Sequence, residues 1–349
     1  VSVATGLDAV TVLRSLLSTP SPTGAVDRAA ESLMRIADEA GFMVRRDQAG
    51  NVLMTWGRDV AGGDVILLGH LDTVPGDLAV HEEAGRLHGR GAVDAKGPLA
   101  AALAAVSRLR PDDGRSVSVI AACDEEGASH GAQHLRHRAA PAHLVVLEPS
   151  GWDTITTGYR GCLRLEATVT RPAAHHAGPE PGAPDRLVGL LADLRTRVNG
   201  SAGRAVDRLQ LRVNTLHAVE DGSSDRASAG IELRLPSGTS VDQALDIARR
   251  TLDGAELVVQ SACEAVSVAR SNPTARALAR AISSAGARPR YTTKTGTSDL
   301  NVVLPAWGCP AAVYGPGDCS LDHGPVEWQD IEDLRRGSDV LESTVRALR

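Results

Sequence analysis

Aromatic side chains are nearly missing from this chain of 349 residues: Phe, Tyr and Trp make up 2% of it, while hydrophobic residues as a whole make up 42%. We read the bias as compositional rather than functional. Cysteine is sparse as well. The five thiols (Cys123, Cys162, Cys263, Cys309, Cys319) form no C-x-x-C pair and are odd in number. That argues against a disulfide framework or a thiolate zinc site and for a reducing compartment. No apolar run reaches the length of a membrane span, and the amino terminus lacks a basic-then-apolar signal pattern. A cytoplasmic protein without membrane contact is the expectation. Positive charge is not in excess either: the net charge of −6 argues against wholesale nucleic-acid binding. Internal repeats and low-complexity tracts are lacking, and the glycine-rich segment 85–91 lacks phosphate-loop spacing.

The length implies two domains rather than one core. Helices are expected over residues 6–18, ended by Thr19-Pro20-Ser21-Pro22, and over 25–40, stopped by Gly41. Short strands follow at 43–45 and 51–54. Val65-Ile66-Leu67-Leu68-Gly69 is a buried strand without polar alternation, and it runs into His70-Leu71-Asp72. His70 and Asp72, two apart in extended chain, leave the same face. An isolated His-x-Asp is more often a pair that satisfies itself, so its meaning depends on the rest of the chain.

Asp94 precedes a small-residue helix over 99–109, where it is either a cap or a carboxylate held on a tight turn. A buried strand over 116–123 ends in Asp124-Glu125-Glu126-Gly127, and another over 144–147 ends in Glu148-Pro149-Ser150. Three acids in a row are either a solvated turn or a cluster that a cation must neutralise. Four apolar strands ending in His-x-Asp, Asp, Glu-Glu and Glu predict an α/β fold with a mainly parallel sheet. Its acids gather at the carboxyl edge.

From residue 158 the pattern alternates, as in antiparallel strands with one wet face. Strands near 161–170, 209–216, 231–235 and 256–262 interleave with helices over 184–198 and 241–253. That is a ferredoxin-like β-α-β-β-α-β module inserted into the first domain. The expected boundaries are 1–157 and 267–349 for the catalytic domain and 158–266 for the insert. Asn272-Pro273 caps a helix to about 285, and a last strand over 308–314 leads to a loop carrying Asp322-His323.

His70, Asp94, Glu126, Glu148 and His323 make a nitrogen and oxygen donor set that suits borderline divalent ions. Here the chain resembles the M20 metallopeptidase family of dizinc aminoacylases, carboxypeptidases and desuccinylases. The resemblance rests on Gly69-His70-Leu71-Asp72-Thr73-Val74-Pro75, Gly89-Arg90-Gly91-Ala92-Val93-Asp94-Ala95-Lys96-Gly97, Asp124-Glu125-Glu126-Gly127, Glu148-Pro149-Ser150 and Asp322-His323. It implies two Zn2+ ions, with Co2+ or Mn2+ able to substitute. His70 and Glu148 would hold one ion, Glu126 and His323 the other, and Asp94 would bridge them. Asp72 would orient His70, and Glu125 would be the general base for the attacking water. The insert resembles the family's lid and dimerisation domain, which implies a homodimer and a lid histidine, His175 or His176, of which His176 fits the pattern better. Arg234, with backbone N–H groups at Gly315 and Gly317, is implied to grip a substrate carboxylate. Ordinary surface and turn roles remain open for these three.

A closer likeness narrows the substrate. Glu148-Pro149-Ser150-Gly151-Trp152-Asp153, Gly158-Tyr159-Arg160-Gly161 and the run from Tyr314 to His323 resemble the branch that hydrolyses an isopeptide bond to the terminal glutamate of an amino-group carrier protein. This implies release of lysine, ornithine or a related diamino acid, with Gly324 and Trp328 departing from the branch pattern near the last ligand. Such carriers are acidic, and residues 195–212 hold five arginines (195, 197, 204, 208, 212) against one aspartate, with Arg204 and Arg208 on one face if helical. The rival readings are a deacylase of a small N-acyl amino acid (N-acetylornithine or N-succinyl-diaminopimelate type), a dipeptidase, a phosphohydrolase, and a non-catalytic binder on the same scaffold.

Overall fold

The computed structural model describes residues 6–57, 65–110, 116–175, 178–199 and 204–348. The chain begins α1 (Ala9–Leu17), α2 (Asp27–Glu39), β1 (Met43–Arg46), β2 (Val52–Trp56), β3 (Val65–His70), β4 (His81–Glu83), β5 (Arg86–His88) and α3 (Lys96–Ser107). Next come β6 (Val117–Ala122), α4 (His130–Leu135), β7 (His143–Val146), β8 (Thr154–Tyr159), β9 (Gly161–Pro172), α5 (Ala183–Asn199), β10 (Gln210–Glu220) and β11 (Ser224–Leu235). It ends α6 (Val241–Thr251), β12 (Glu256–Cys263), β13 (Val266–Ser267), α7 (Pro273–Ser284), β14 (Arg290–Lys294), α8 (Leu300–Trp307), β15 (Ala311–Val313), β16 (Trp328–Asp330) and α9 (Ile331–Leu348).

Two compact units divide the chain. One comprises Val1–Thr157, Val268–Thr292 and Ser298–Arg349, the other Gly158–Ser267 and Thr293–Thr297. In the first, a sheet runs in the order β1-β2-β6-β3-β7-β15-β8. Its centre is parallel: β3 pairs with β6 and β7, and β7 with β15. The flanks β1-β2, β2-β6 and β15-β8 are antiparallel. Every residue of β3 and β6 is buried, as expected of apolar strands covered on both faces. Helix α3, buried along its whole length, packs against α1 and α9; its alanines let the backbones approach closely. Asp8 caps α1 by accepting from the Thr11 N–H, and Asn272 caps α7 from the Thr274 and Ala275 N–H groups.

The expected strand before Asp94 is not part of this sheet. Arg86–His88 joins β4 and β16 in a separate three-stranded sheet, and Asp94 stands in the turn between β5 and α3. Glycines at 85, 89 and 91, all with positive φ, break the chain too often for a core strand. Three sheet strands, not four, therefore deliver acids to the carboxyl edge.

The second unit has the order β9-α5-β10-β11-α6-β12, with an antiparallel sheet β10-β11-β9-β12. Leu163, Leu165, Leu187, Leu194, Ile231 and Leu233 lie in its own aliphatic core. A capping box at Ser240 and Gln243 opens α6. Arg204 and Arg208 do not share a helical face: they sit in extended conformation on either side of the single 3-10 turn Ala205–Asp207. Arg204 pairs instead with Asp207.

Candidate metal centre

Because β6, β3, β7 and β15 are parallel neighbours, their carboxyl ends lie at one edge. His70 is the last residue of β3, Glu125 and Glu126 occupy the turn beyond β6, Glu148 follows β7, and Gly315 and Gly317 follow β15. Two more side chains arrive from outside the sheet, Asp94 from its turn and His323 from a loop after the 3-10 turn Cys319–Leu321. Asp124 and His323 both adopt left-handed backbone, at φ 64° and 58°, an unfavourable state for non-glycine residues and one that concentrates at functional sites.

The His70 ring is 1% exposed. Its Nδ1 lies 2.8 Å from the Asp72 carbonyl oxygen, so Nδ1–H donates there and Nε2 is the nitrogen that faces the carboxylates. That Nε2 is 3.1 Å from Asp94 Oδ1 and 3.9 Å from Glu148 Oε1. His323 Nε2 is 3.1 Å from Asp94 Oδ2 and 2.8 Å from Glu126 Oε1. Asp94 thus addresses one histidine with each oxygen. Ligand atoms of His70, Asp94 and Glu126 all fall within 4.8 Å of one another.

The electrostatics describe a site short of positive charge. Burial works against a charged His70 ring, yet the Asp94 hydrogen bond and the charges of Glu125, Asp94 and Glu148 hold its pKa well above the ordinary value. Hydrogen bonds to Asp94 and Glu126 push His323 up to about 10. Burial raises Glu125, with His70 opposing and Glu148, Asp299 and Glu126 adding to the rise. Protons collect where carboxylates crowd, and a divalent cation with nitrogen and oxygen donors relieves the same crowding. The residues present fit such an ion.

Asp72 was expected to steer His70, and the contact that does so is its backbone carbonyl. Its carboxylate lies 3.8 Å from His70 Nδ1 and is committed elsewhere. Oδ1 accepts from the Glu125 N–H at 3.0 Å, and Oδ2 from the Glu126 N–H at 3.2 Å and the Thr23 hydroxyl at 2.9 Å. One residue therefore fixes the histidine through its main chain and the Glu125-Glu126 turn through its side chain.

Two residues at the centre were not anticipated. Glu327, 2% exposed, accepts from the N–H groups of Gly91 (3.0 Å), Val93 (2.9 Å) and Asp94 (3.2 Å) and pairs with Arg90 at 3.0 Å. It clamps the turn that carries Asp94. Nothing in its mixed polar and apolar neighbourhood marks it, because its partners lie more than 230 positions away. Asp299 is 2% exposed at the start of α8, its carboxyl pushed up to about 7 by burial, with His70 opposing and Asp72 adding.

The remaining anticipated residues have these surroundings. Gly315 and Gly317 are buried. A Cβ on Gly315 would stand 2.7 Å from Pro98, and Gly317 has φ 120° with Val93 at 3.0 Å from such a Cβ, so close packing demands glycine at both. In the second unit, Arg234 Nε lies 2.5 Å from Glu232 Oε1 and its Nη1 3.4 Å from Thr297 Oγ1, while Glu232 also pairs with Arg164. His175 is exposed, and its carbonyl accepts from the Gly178 N–H. His176 lies outside the described residues.

Comparison with known proteins places this geometry in context. The pattern described as Peptidase family M20/M25/M40 matches residues 66–347. A LysW-lysine hydrolase of Deinococcus radiodurans is 38% identical over 97% of this chain and 96% of its own length. A putative LysW-lysine/LysW-ornithine hydrolase of Aeropyrum pernix is 37% identical over 95% and 94%. Among solved structures, the aminopeptidase PepT of Bacillus cereus superposes with a TM-score of 0.80 at 18% identity, over 99% of this chain and 100% of that one. An M20 family metallo-carboxypeptidase of Sulfolobus solfataricus gives 0.80 at 16%, over 98% and 99%.

Proposed function

The chain belongs to peptidase family M20/M25/M40, a metal-dependent amide hydrolase, and from that premise we propose that it frees lysine, ornithine or a related amino acid from an amino-group carrier protein. The bond cut joins the α-amine of that amino acid to the γ-carboxyl of the carrier's C-terminal glutamate. The observation that carries the chemistry is the convergence of His70, Asp94, Glu126, Glu148 and His323 around one sheet edge, with Glu125 beside them. The carrier rests on the names of the near-full-length relatives.

Two Zn2+ ions, replaceable by Co2+ or Mn2+, suit this donor set, and when bound they polarise the scissile carbonyl and acidify water. His70 and Glu148 are assigned to one ion, Glu126 and His323 to the other, and Asp94 to both. Glu125 takes the proton from the attacking water and returns it to the leaving α-amine, a task its raised basicity favours. Asp72 holds the Glu125-Glu126 turn in place by accepting from their consecutive N–H groups. Arg234 is assigned to the substrate carboxylate, together with backbone at Gly315 and Gly317. With Nε and Nη1 engaged, that grip falls to its Nη2. The second unit serves as lid and homodimer contact, with His176 or His175 as the lid histidine. Exposed Leu216 and Val219 on the edge strand β10 support such a contact. The arginines between 195 and 212 provide positive charge to steer an acidic carrier.

Mass spectrometry of metal-loaded enzyme incubated with carrier-lysine and carrier-ornithine conjugates, beside N-acetyl-lysine and N-acetylornithine, tests this reading. Release from the conjugates in clear preference to the acetylated amino acids is the expected result. Turnover of the small substrates alone would remove the carrier.

A further inference from the structure

The three-stranded sheet holds a group of metal-binding side chains apart from the hydrolytic centre. Antiparallel pairing of β4 with β5 sets His81 opposite His88 and Glu83 opposite Arg86. Residues two apart on a strand share a face, so His81, Glu83, His88 and Arg86 line the same side. Nitrogen atoms of both histidines and a carboxylate oxygen of Glu83 lie within 4.8 Å of one another. The two rings stack with centroids 4.3 Å apart and planes 11° from parallel.

We propose that His81, Glu83 and His88 form a second, surface binding site for a borderline divalent transition metal such as Zn2+, Ni2+ or Cu2+. Three features of the surroundings favour it. His81 Nδ1 lies 3.1 Å from the Ala79 carbonyl, which takes that N–H and leaves the lone pair on Nε2, the arrangement usual for a ligating histidine. Glu82, on the opposite face, is paired with Arg14. Among the described residues Glu83 has no such ion pair: its cross-strand partner Arg86 turns its guanidinium onto the Trp328 ring, 3.8 Å from the centroid. Burial and the charge of His81, with Glu83 opposing and Arg86 adding, lower the pKa of His88, which keeps that ring neutral and able to ligate, while the nearby Arg86 charge opposes a cation. Coordination needs the rings to splay from their stack by rotation about χ2, which exposed His81 can supply beside half-buried His88. Two imidazoles and a carboxylate leave one tetrahedral position for water. The bound ion would clip β4 to β5, the strand that leads into the Asp94 turn.

Native mass spectrometry of metal-stripped protein titrated with Zn2+ counts the ions bound. Wild type is expected to bind one ion more than the double variant His81→Ala/His88→Ala, while the variant keeps its hydrolytic turnover. The difference stands whatever number of ions the hydrolytic centre holds, so the two readings fail separately. In wild type, ring-15N histidine spectra are expected to show the Nε2 signals of His81 and His88 moving on Zn2+ addition. Equal counts in both proteins, or unmoved signals, would overturn the site.

Discussion

Asp72 acts through two different atoms, and the two roles can be separated by substitution. Asp72→Asn keeps the backbone carbonyl that holds His70 Nδ1 but replaces one carboxylate oxygen, facing the Glu125 or Glu126 N–H, with an amide donor. Turnover is expected to fall about 10- to 100-fold, the range seen when groups supporting a metal centre are lost. Bound metal, measured by elemental analysis, is expected to remain. Complete loss of metal would show that the carboxylate holds the histidine after all. Glu327→Gln leaves Arg90 facing a neutral amide and weakens three N–H contacts to the Asp94 turn. Breaking a buried pair costs about 3–5 kcal/mol, so thermal unfolding should shift markedly downward. An unchanged melting temperature would mean the turn holds itself. Every donor of the proposed centre was readable because each follows a recognisable motif. Glu327 was not, since an acid whose partners are backbone N–H groups and one arginine more than 230 positions away leaves no pattern in its own neighbourhood.

Elements were legible where periodicity is long. The alternation in β9, β10 and β11 and the helical spacing of α5 and α6 carry the β-α-β-β-α-β order, and the apolar runs of β3 and β6 carry the parallel centre. Strands of three residues carry no period, so β4, β5 and β16 were missed. The consequence was that Asp94 was counted among the sheet-strand ends, although it sits on the tight turn that was its other reading. At this scale β10 offers a test: Leu216 is 55% and Val219 66% exposed on an edge strand. Leu216→Lys with Val219→Lys is expected to convert a dimer to a monomer in sedimentation velocity, with the fold intact by circular dichroism. A double variant that sediments as wild type does would move the dimer contact elsewhere.

For the whole molecule, the thiols report which parts are closed. Burial raises Cys123 and Cys309 to about 11 and Cys162 to about 12, and lifts Cys263 as well. A raised pKa lowers the thiolate fraction at any pH, and only the thiolate is nucleophilic. Iodoacetamide at pH 8 is therefore expected to modify exposed Cys319 first, half-buried Cys263 and Cys309 more slowly, and buried Cys123 and Cys162 only after denaturation. Labelling of Cys123 or Cys162 at a similar rate would show that their surroundings open readily. The few aromatics are mostly buried, as at Phe42, Trp56 and Tyr314, and alanine and glycine bring α3, the sheet and the Pro98–Gly315 contact together. Those close approaches bring the residues after β7 and β15 side by side.

The central claim is that Glu125 moves protons while its neighbours hold metal. Its most direct test is turnover of the metal-loaded Glu125→Gln variant on the carrier conjugate, with metal content measured on the same sample. The account predicts the wild-type metal content and a rate lower by at least about 100-fold, the lower end for loss of a general base. Undiminished hydrolysis at equal metal content would contradict it.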